Sequence, residues 1–375
     1  MSENRIYLDW NASAPLRPEA RVAMIEALSL IGNPSSVHSF GREIRRRIED
    51  ARVSVARLVG AEPFRVVFTS GGVEANHLAL LGIENSLCWT SEIEHESVLA
   101  ARSEAERLPI TSGGVIDLES LDCRLERFLR IQSTQNSPKL LVSTMLVNNE
   151  TGVIQPIAEI ASRVRRVGGL LHCDAVQALG RAPIDMAKLD VDMMTVSSHK
   201  IGGPSGVGAL ILGPKAPPLT PILRGGGQES RQRAGTENII GIIGFGRAAM
   251  LALQEQGVYS ETVAPLRDRL EREVRLQAPH VRIFGAESPR VANTCCLGVE
   301  GLRSETLLIK LDLAGIAVSA GAACSSGRAR PSHVLKAMGC NEESAASAIR
   351  VSMGTLTSAA DIDRFLDVWL SCVRR

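Results

Sequence analysis

The chain has 375 residues and a formal net charge of +1, with 22% of its residues charged. That balance argues against a general nucleic-acid or membrane-surface binder, while a hydrophobic content of 45% suits a soluble globular protein of roughly two domains with a large core. Eight cysteines form no CxxC pair and no metal-ligand spacing, so no metal site is expected and most of them read as small buried hydrophobes of a reducing compartment.

The N-terminus runs straight into strand-like Ile6-Tyr7-Leu8 with no apolar leader. The most apolar stretch, 239–253, is broken by glycines and Arg247 and is too short for a bilayer. A cytoplasmic protein is the expectation. The spacing predicts a helix over 42–59, stopped by Gly60. Its Arg42, Arg45, Arg46 and Arg47 interleave with Glu43, Glu49 and Asp50, which gives a solvated face and not a nucleic-acid patch.

A strand at 65–69 and a helix at 73–81 follow, then strands at 87–90 and 140–147. Next come a helix at 156–167 closed by Gly168-Gly169 and strands at 170–174, 191–196 and 207–212. Continuous apolar strands alternating with amphipathic helices indicate a mostly parallel sheet covered on both faces. Beyond about residue 257 the texture changes to helix 265–276, strand 294–299, helix 304–314, strand 316–319 and helix 360–373. The expected fold class is α/β: a large domain over 16–256, and a smaller α+β domain made from 1–15 and 257–375.

Two strand tips carry the first chemical signal. Strand 170–174 ends on the carboxylate of Asp174, and the next strand leads into Ser197-Ser198-His199-Lys200-Ile201-Gly202-Gly203-Pro204. Lysine is scarce here, six among 42 basic residues, so Lys200 is not a default surface filler. An acid beside a lysine is what pyridoxal 5'-phosphate requires, the acid to keep the pyridine nitrogen protonated and the lysine to hold the aldehyde.

Other segments can complete such a site. Thr69-Ser70-Gly71-Gly72-Val73-Glu74-Ala75-Asn76 turns from strand to helix, and its N–H groups can seat a phosphate. Ser197 and His199 can donate to the same phosphate or simply cap the turn. His95, in Glu94-His95-Glu96, can stack on a ring or be structural. Asn149 ends an apolar strand and can reach a phenolic oxygen or serve as plain turn chemistry. Cys324 lies amid small residues, Ser319-Ala320-Gly321-Ala322-Ala323-Cys324-Ser325-Ser326-Gly327, a setting that suits a nucleophilic thiol better than a packed one.

Together these motifs resemble the cysteine desulfurases of the fold-type I pyridoxal-phosphate superfamily, in the class serving iron–sulfur cluster or nitrogenase assembly. The resemblance runs from Tyr7-Leu8-Asp9 and Gly32-Asn33-Pro34-Ser35-Ser36-Val37-His38 to Ile349-Arg350-Val351-Ser352. It implies that Lys200 binds the cofactor, Asp174 pairs with the pyridine nitrogen, and Asn149 and Gln177 bond the phenolic oxygen. His95 is then the stacking and acid–base histidine, and Gly72, Val73, Ser197 and His199 form the phosphate site. Thr236 reaches the phosphate of a second subunit, which implies a homodimer. Asn33 and Arg350 bind substrate, with Arg350 clamping the carboxylate of L-cysteine.

The resemblance also implies that Cys324 takes the substrate sulfur as a persulfide, leaves alanine, and passes the sulfur to an acceptor or iron–sulfur scaffold protein. Val73 departs from a threonine common at its position, which predicts weaker cofactor binding. Arg328-Ala329-Arg330 adds positive charge where an acidic residue is common. A selenocysteine lyase on the same scaffold, or a non-catalytic sulfur carrier, is the alternative.

Overall fold

The computed structural model describes residues 5–131, 138–320 and 331–373. Seven strands form the principal sheet, in the spatial order Val66–Thr69, Gly208–Leu212, Met193–Ser197, Leu170–Asp174, Lys139–Met145, Ser86–Ser91 and Glu106–Leu108. Gly208–Leu212 alone runs against its neighbours, and the remaining pairings are parallel. Every residue of Leu170–Asp174 and Met193–Ser197 is buried, as expected of parallel strands covered on both faces.

Register brings the chemistry to one edge. Asp174 lies opposite Met145 on one side and Thr195 on the other, so three successive strands end together. In an open parallel sheet that carboxyl edge is where a ligand crevice forms.

The helix Ser39–Leu58 buries Ile44, Ile48, Ala51 and Val55, an apolar stripe at helical spacing. It packs on the long helix Ile239–Gln277 at a point where both helices are small: a Cβ on Gly246 would lie 2.5 Å from Ala51. The expected solvated face is present, with Arg46 and Arg47 paired to Glu43 and Arg45 paired to Glu49.

A second sheet is antiparallel, in the order Ser319–Ala320, Ile349–Ser352, Thr294–Gly298 and Arg282–Phe284. Its core joins Leu8, Leu270, Val274, Leu307, Leu311, Phe365 and Trp369, with the last two aromatic rings stacked 6.1 Å apart. Cys295 packs into this core, and its neighbour Cys296 packs on the other face with Val334, Leu335 and Cys340. Strand alternation separates the two thiols, so both serve packing.

Two elements differ from expectation. The helix predicted at 265–276 is the end of a continuous helix, Ile239–Gln277, with Pro265 in its interior. Pro265 removes one backbone donor, but Glu261, four residues earlier, is exposed and its carbonyl can turn to water. The strand expected at 316–319 is split in two. Ile316–Ala317 pairs with Ile6–Tyr7, and Ser319–Ala320 pairs with Ile349–Ser352. No helix among the described residues is long and apolar enough to cross a membrane.

Candidate active site

At the carboxyl edge of the principal sheet lies a cavity of about 240 Å³. Gly72, Val73, His95, Asn149, Asp174, Gln177, Ser197, His199 and Lys200 all line it, together with Asn76 and Ser97. The geometry thus gathers nine of the expected residues from five separate segments of chain.

Asp174 is 5% exposed and is held from two directions. Its Oδ1 accepts from the Val176 N–H at 3.0 Å and its Oδ2 from Asn76 Nδ2 at 2.8 Å. Two donors fix the carboxylate plane at the cavity wall.

Lys200 follows strand Met193–Ser197 in a short 3₁₀ turn. Its Nζ donates to the backbone carbonyls of Asn11 at 2.6 Å and Ala12 at 2.9 Å. Desolvation, reinforced by the positive charges of Arg181 and Arg350, pulls this amine down to about 7. A large share is therefore the neutral nucleophile near neutral pH.

His95 caps the short helix Glu96–Ala101, and its Nδ1 is engaged with the Ser97 hydroxyl at 2.7 Å. Burial holds its imidazole below the ordinary range, with Asp174 opposing. Ser197 and His199 bond each other at 2.9 Å, and burial together with Lys200 brings His199 down to about 4.

The turn before helix Gly72–Leu81 is built for close approach. Gly71 has φ 156° and ψ −179°, a conformation open essentially to glycine alone. A Cβ on Gly72 would fall 3.2 Å from Val176 Cγ2 and 3.7 Å from Ser197 Cβ, filling the space between cavity walls. The helix has no side-chain cap, which leaves its first-turn N–H groups for an anion.

These features fit pyridoxal phosphate: an anchored carboxylate for the ring nitrogen, a neutral amine for the aldehyde, and a glycine cradle at a helix start for the phosphate. Val73 offers only its backbone there, and its side chain is largely exposed.

Arg350 lies next to this cavity and is 3% exposed. Its Nη2 pairs with Asp9 at 2.7 Å and its Nη1 donates to the Asn149 carbonyl at 2.9 Å, while Nε is buried without a partner among the described residues. Gln177 turns its Nε2 to the Asn11 carbonyl at 3.0 Å and accepts from Arg181.

Besides Arg350, which lies beside the cavity and not on its lining, two expected residues do not join it. Asn33 is exposed and accepts from the Ser35 N–H in a local turn, and Thr236 is exposed on the surface. Cys324, with Arg328 and Arg330, lies outside the described residues.

Four participants escaped the sequence reading: Asn11, Asn76, Glu94 and Arg181. Asn76 carried a visible signal, since it stands one helical turn after Gly72 on the buried face. Glu94 is fully buried between the Ser91 hydroxyl and the Met145 N–H, and burial raises its carboxyl to about 8.

Comparison with known proteins agrees with this geometry. The family model for class-V aminotransferases matches residues 6–365. A cysteine desulfurase of Cereibacter sphaeroides is 43% identical, covering 97% of this chain and 94% of that protein. Cysteine desulfurase IscS of Dictyoglomus turgidum is 38% identical over 98% of this chain and 94% of its own length. The solved structure of a NifS-like protein from Rickettsia africae superposes with a TM-score of 0.90 at 34% identity, covering 98% of this chain and 99% of that one. The chain belongs to the class-V aminotransferase family, among its cysteine desulfurases.

Proposed function

We propose that this chain is a pyridoxal-phosphate-dependent cysteine desulfurase, which converts L-cysteine to L-alanine and supplies the sulfur for iron–sulfur cluster assembly. The observation that carries this reading is the joint placement of Asp174 and Lys200 on one cavity, with His95 lining the same space. When bound, the cofactor supplies a ring that delocalises the negative charge left when the substrate α-proton is removed.

The chain's own residues do the rest. Asp174, fixed by Asn76 and Val176, holds a proton on the ring nitrogen. Gln177 and Asn149 orient the ring, and Gly72, Val73, Ser197 and His199 hold the phosphate. Lys200 Nζ, freed of its proton by desolvation, is the base for the substrate α-proton. Arg350 recognises the substrate carboxylate, drawing on the Nη2 now given to Asp9. The Cys324 thiolate attacks the substrate sulfur as the Sγ–Cβ bond breaks. The electron pair passes to the carbon skeleton, which takes up a proton at Cβ and departs as alanine, and the sulfur stays on the enzyme as a persulfide.

The working unit is a homodimer in this reading. Val22, Ile25, Leu28, Ile31, Val37 and Phe40 expose large apolar side chains along the helix Pro18–Ala27, the segment after it and the start of helix Ser39–Leu58, a surface that a second copy would cover. Thr236, exposed here, would then serve the partner's phosphate site. A large domain over 16–256 and a small one from 1–15 and 257–375 is the division we propose.

The test is alanine and sulfide produced from L-cysteine with a reductant present, for wild type and Cys324→Ala. Equal amounts of both products, lost on substitution, support the reading. No alanine from the wild type with added pyridoxal phosphate overturns it.

A further inference from the structure

The segment 225–237 contains unusual backbone. Glu229, Ser230 and Arg231 have φ of 44°, 54° and 66°, three successive non-glycine residues in the left-handed region. L side chains adopt that region reluctantly, so something outside the segment must hold it. Three ion pairs do so: Glu229 with Arg52 at 2.7 Å, Arg233 with Glu74 at 2.8 Å, and Glu237 with Arg45 at 3.4 Å.

The middle pair reaches the cofactor helix. Glu74 stands in the first turn of Gly72–Leu81, and its Oε2 accepts from the Ser70 N–H at 2.7 Å. A carboxylate at that end favours the helix but competes with any anion seated there. Gly72 and Val73, the two residues before it, line the cavity. Arg233 supplies the missing counter-charge, with Nε 2.8 Å from Oε1 and Nη2 3.5 Å from Oε2. Both side chains are more than four-fifths covered, at 19% and 17% exposure, so solvent screens the pair less than it would on the surface.

We infer that Arg233 is a positioning residue for the cofactor phosphate: it cancels the Glu74 charge and keeps that side chain folded onto the Ser70 N–H. The helix start then stays open to an anion. Arg233 does not touch the phosphate in this scheme and acts through Glu74. The inference rests on the pyridoxal-phosphate reading above and adds a charge pair that the reading did not use.

The experiment titrates full-length, cofactor-free protein with pyridoxal phosphate and, separately, with pyridoxal, which lacks the phosphate. Absorbance and intrinsic fluorescence report the binding. Wild type that fails to prefer pyridoxal phosphate sinks the phosphate seat itself, whatever the variants do. With that preference established, Arg233→Gln should raise the Kd for pyridoxal phosphate by about tenfold, because an unpaired carboxylate then faces the anion. Its Kd for pyridoxal should stay within about twofold of wild type, since that ligand carries no phosphate charge. Adding Glu74→Gln to Arg233→Gln should restore affinity, and Arg233→Lys should stay near wild type. Equal weakening toward both ligands, unchanged affinity, or failure of Glu74→Gln to rescue would each overturn the inference. If Arg233→Gln does not fold, Glu74→Gln alone decides: it should bind pyridoxal phosphate at least as tightly as wild type, and weaker binding refutes the scheme.

Discussion

Asn76 donates to Asp174 Oδ2 at 2.8 Å, tying helix Gly72–Leu81 to the tip of strand Leu170–Asp174. The same amide group donates to Ser97 Oγ at 2.9 Å, and Ser97 in turn holds the His95 ring. One buried asparagine therefore fixes Asp174, the acid proposed for the ring nitrogen, and braces His95, the histidine proposed to stack on the ring. This makes Asn76 a test of whether orientation matters at the site or only the presence of the acid.

Asn76→Ala removes a hydrogen bond to a charged group, worth roughly 1.5–3 kcal/mol. The Kd for pyridoxal phosphate should rise by about one to two powers of ten. Asn76→Asp should do more harm, because it sets a second carboxylate against Asp174 in a buried site. Titration of the two variants with cofactor gives the order directly; an Asp variant that binds better than the Ala variant would contradict this account.

Much of this is legible in the sequence, for identifiable reasons. The strand at 170–174 and the helix at 73–81 follow from apolar runs bounded by glycine and by polar tips, and the structure reproduces both within a residue. Asp174 is visible because it terminates an apolar strand, and Lys200 because it closely follows one in a chain poor in lysine. The long helix is not, because Pro265 and the glycines of 241–246 both read as breaks. Tertiary contact explains the glycines: those at 244 and 246 admit Met24 and Ala51 at close range. Asn11, Glu94 and Arg181 are not legible either. Their roles rest on contacts across 166 residues from Asn11 to Gln177, 51 from Glu94 to Met145, and 171 from Arg181 to Trp10. No local pattern in a single sequence records such pairings.

The depressed amine of Lys200 gives a pH prediction with a definite sign. Its pKa of about 7, against 10.5 for an ordinary lysine, means that the neutral form gains rapidly as pH rises through 7. Only the neutral amine attacks an aldehyde. Reductive trapping of pyridoxal phosphate by cofactor-free protein should therefore accelerate from pH 6 to 8 and level off above, with Lys200 as the peptide modified. Mass spectrometry after borohydride treatment identifies the site and the rate. A rate still climbing between pH 9 and 10 would mean that burial does not depress this amine. Arg181→Met should move the midpoint upward, since Arg181 is the first of the charges that oppose protonation.

The Arg52–Glu229 pair tests what holds the left-handed segment. Arg52 and Glu229 are 5% and 4% exposed and meet through two bonds of 2.7 and 2.8 Å. Glu229 also accepts from the Phe68 N–H at 2.8 Å, which pins the segment to the edge strand of the principal sheet. Removing one partner of such a pair costs up to about 3–5 kcal/mol when the buried charge is left uncompensated. Glu49 keeps a bond to Arg52 Nε at 3.0 Å but is itself 43% exposed, which places the loss toward the lower end. Glu229→Met should therefore lower stability by an amount of that order, read as a shift in urea midpoint at unchanged slope. Arg52→Met with Glu229→Met removes both charges and should recover part of the loss. The recovery should be incomplete, because the Phe68 N–H and the Val66 carbonyl both lose a partner. The three residues of left-handed backbone would also lose their anchor. If the double variant matched wild type, the pair would contribute nothing to the segment's geometry; if it were no better than the single, the backbone bonds would be the whole of the effect.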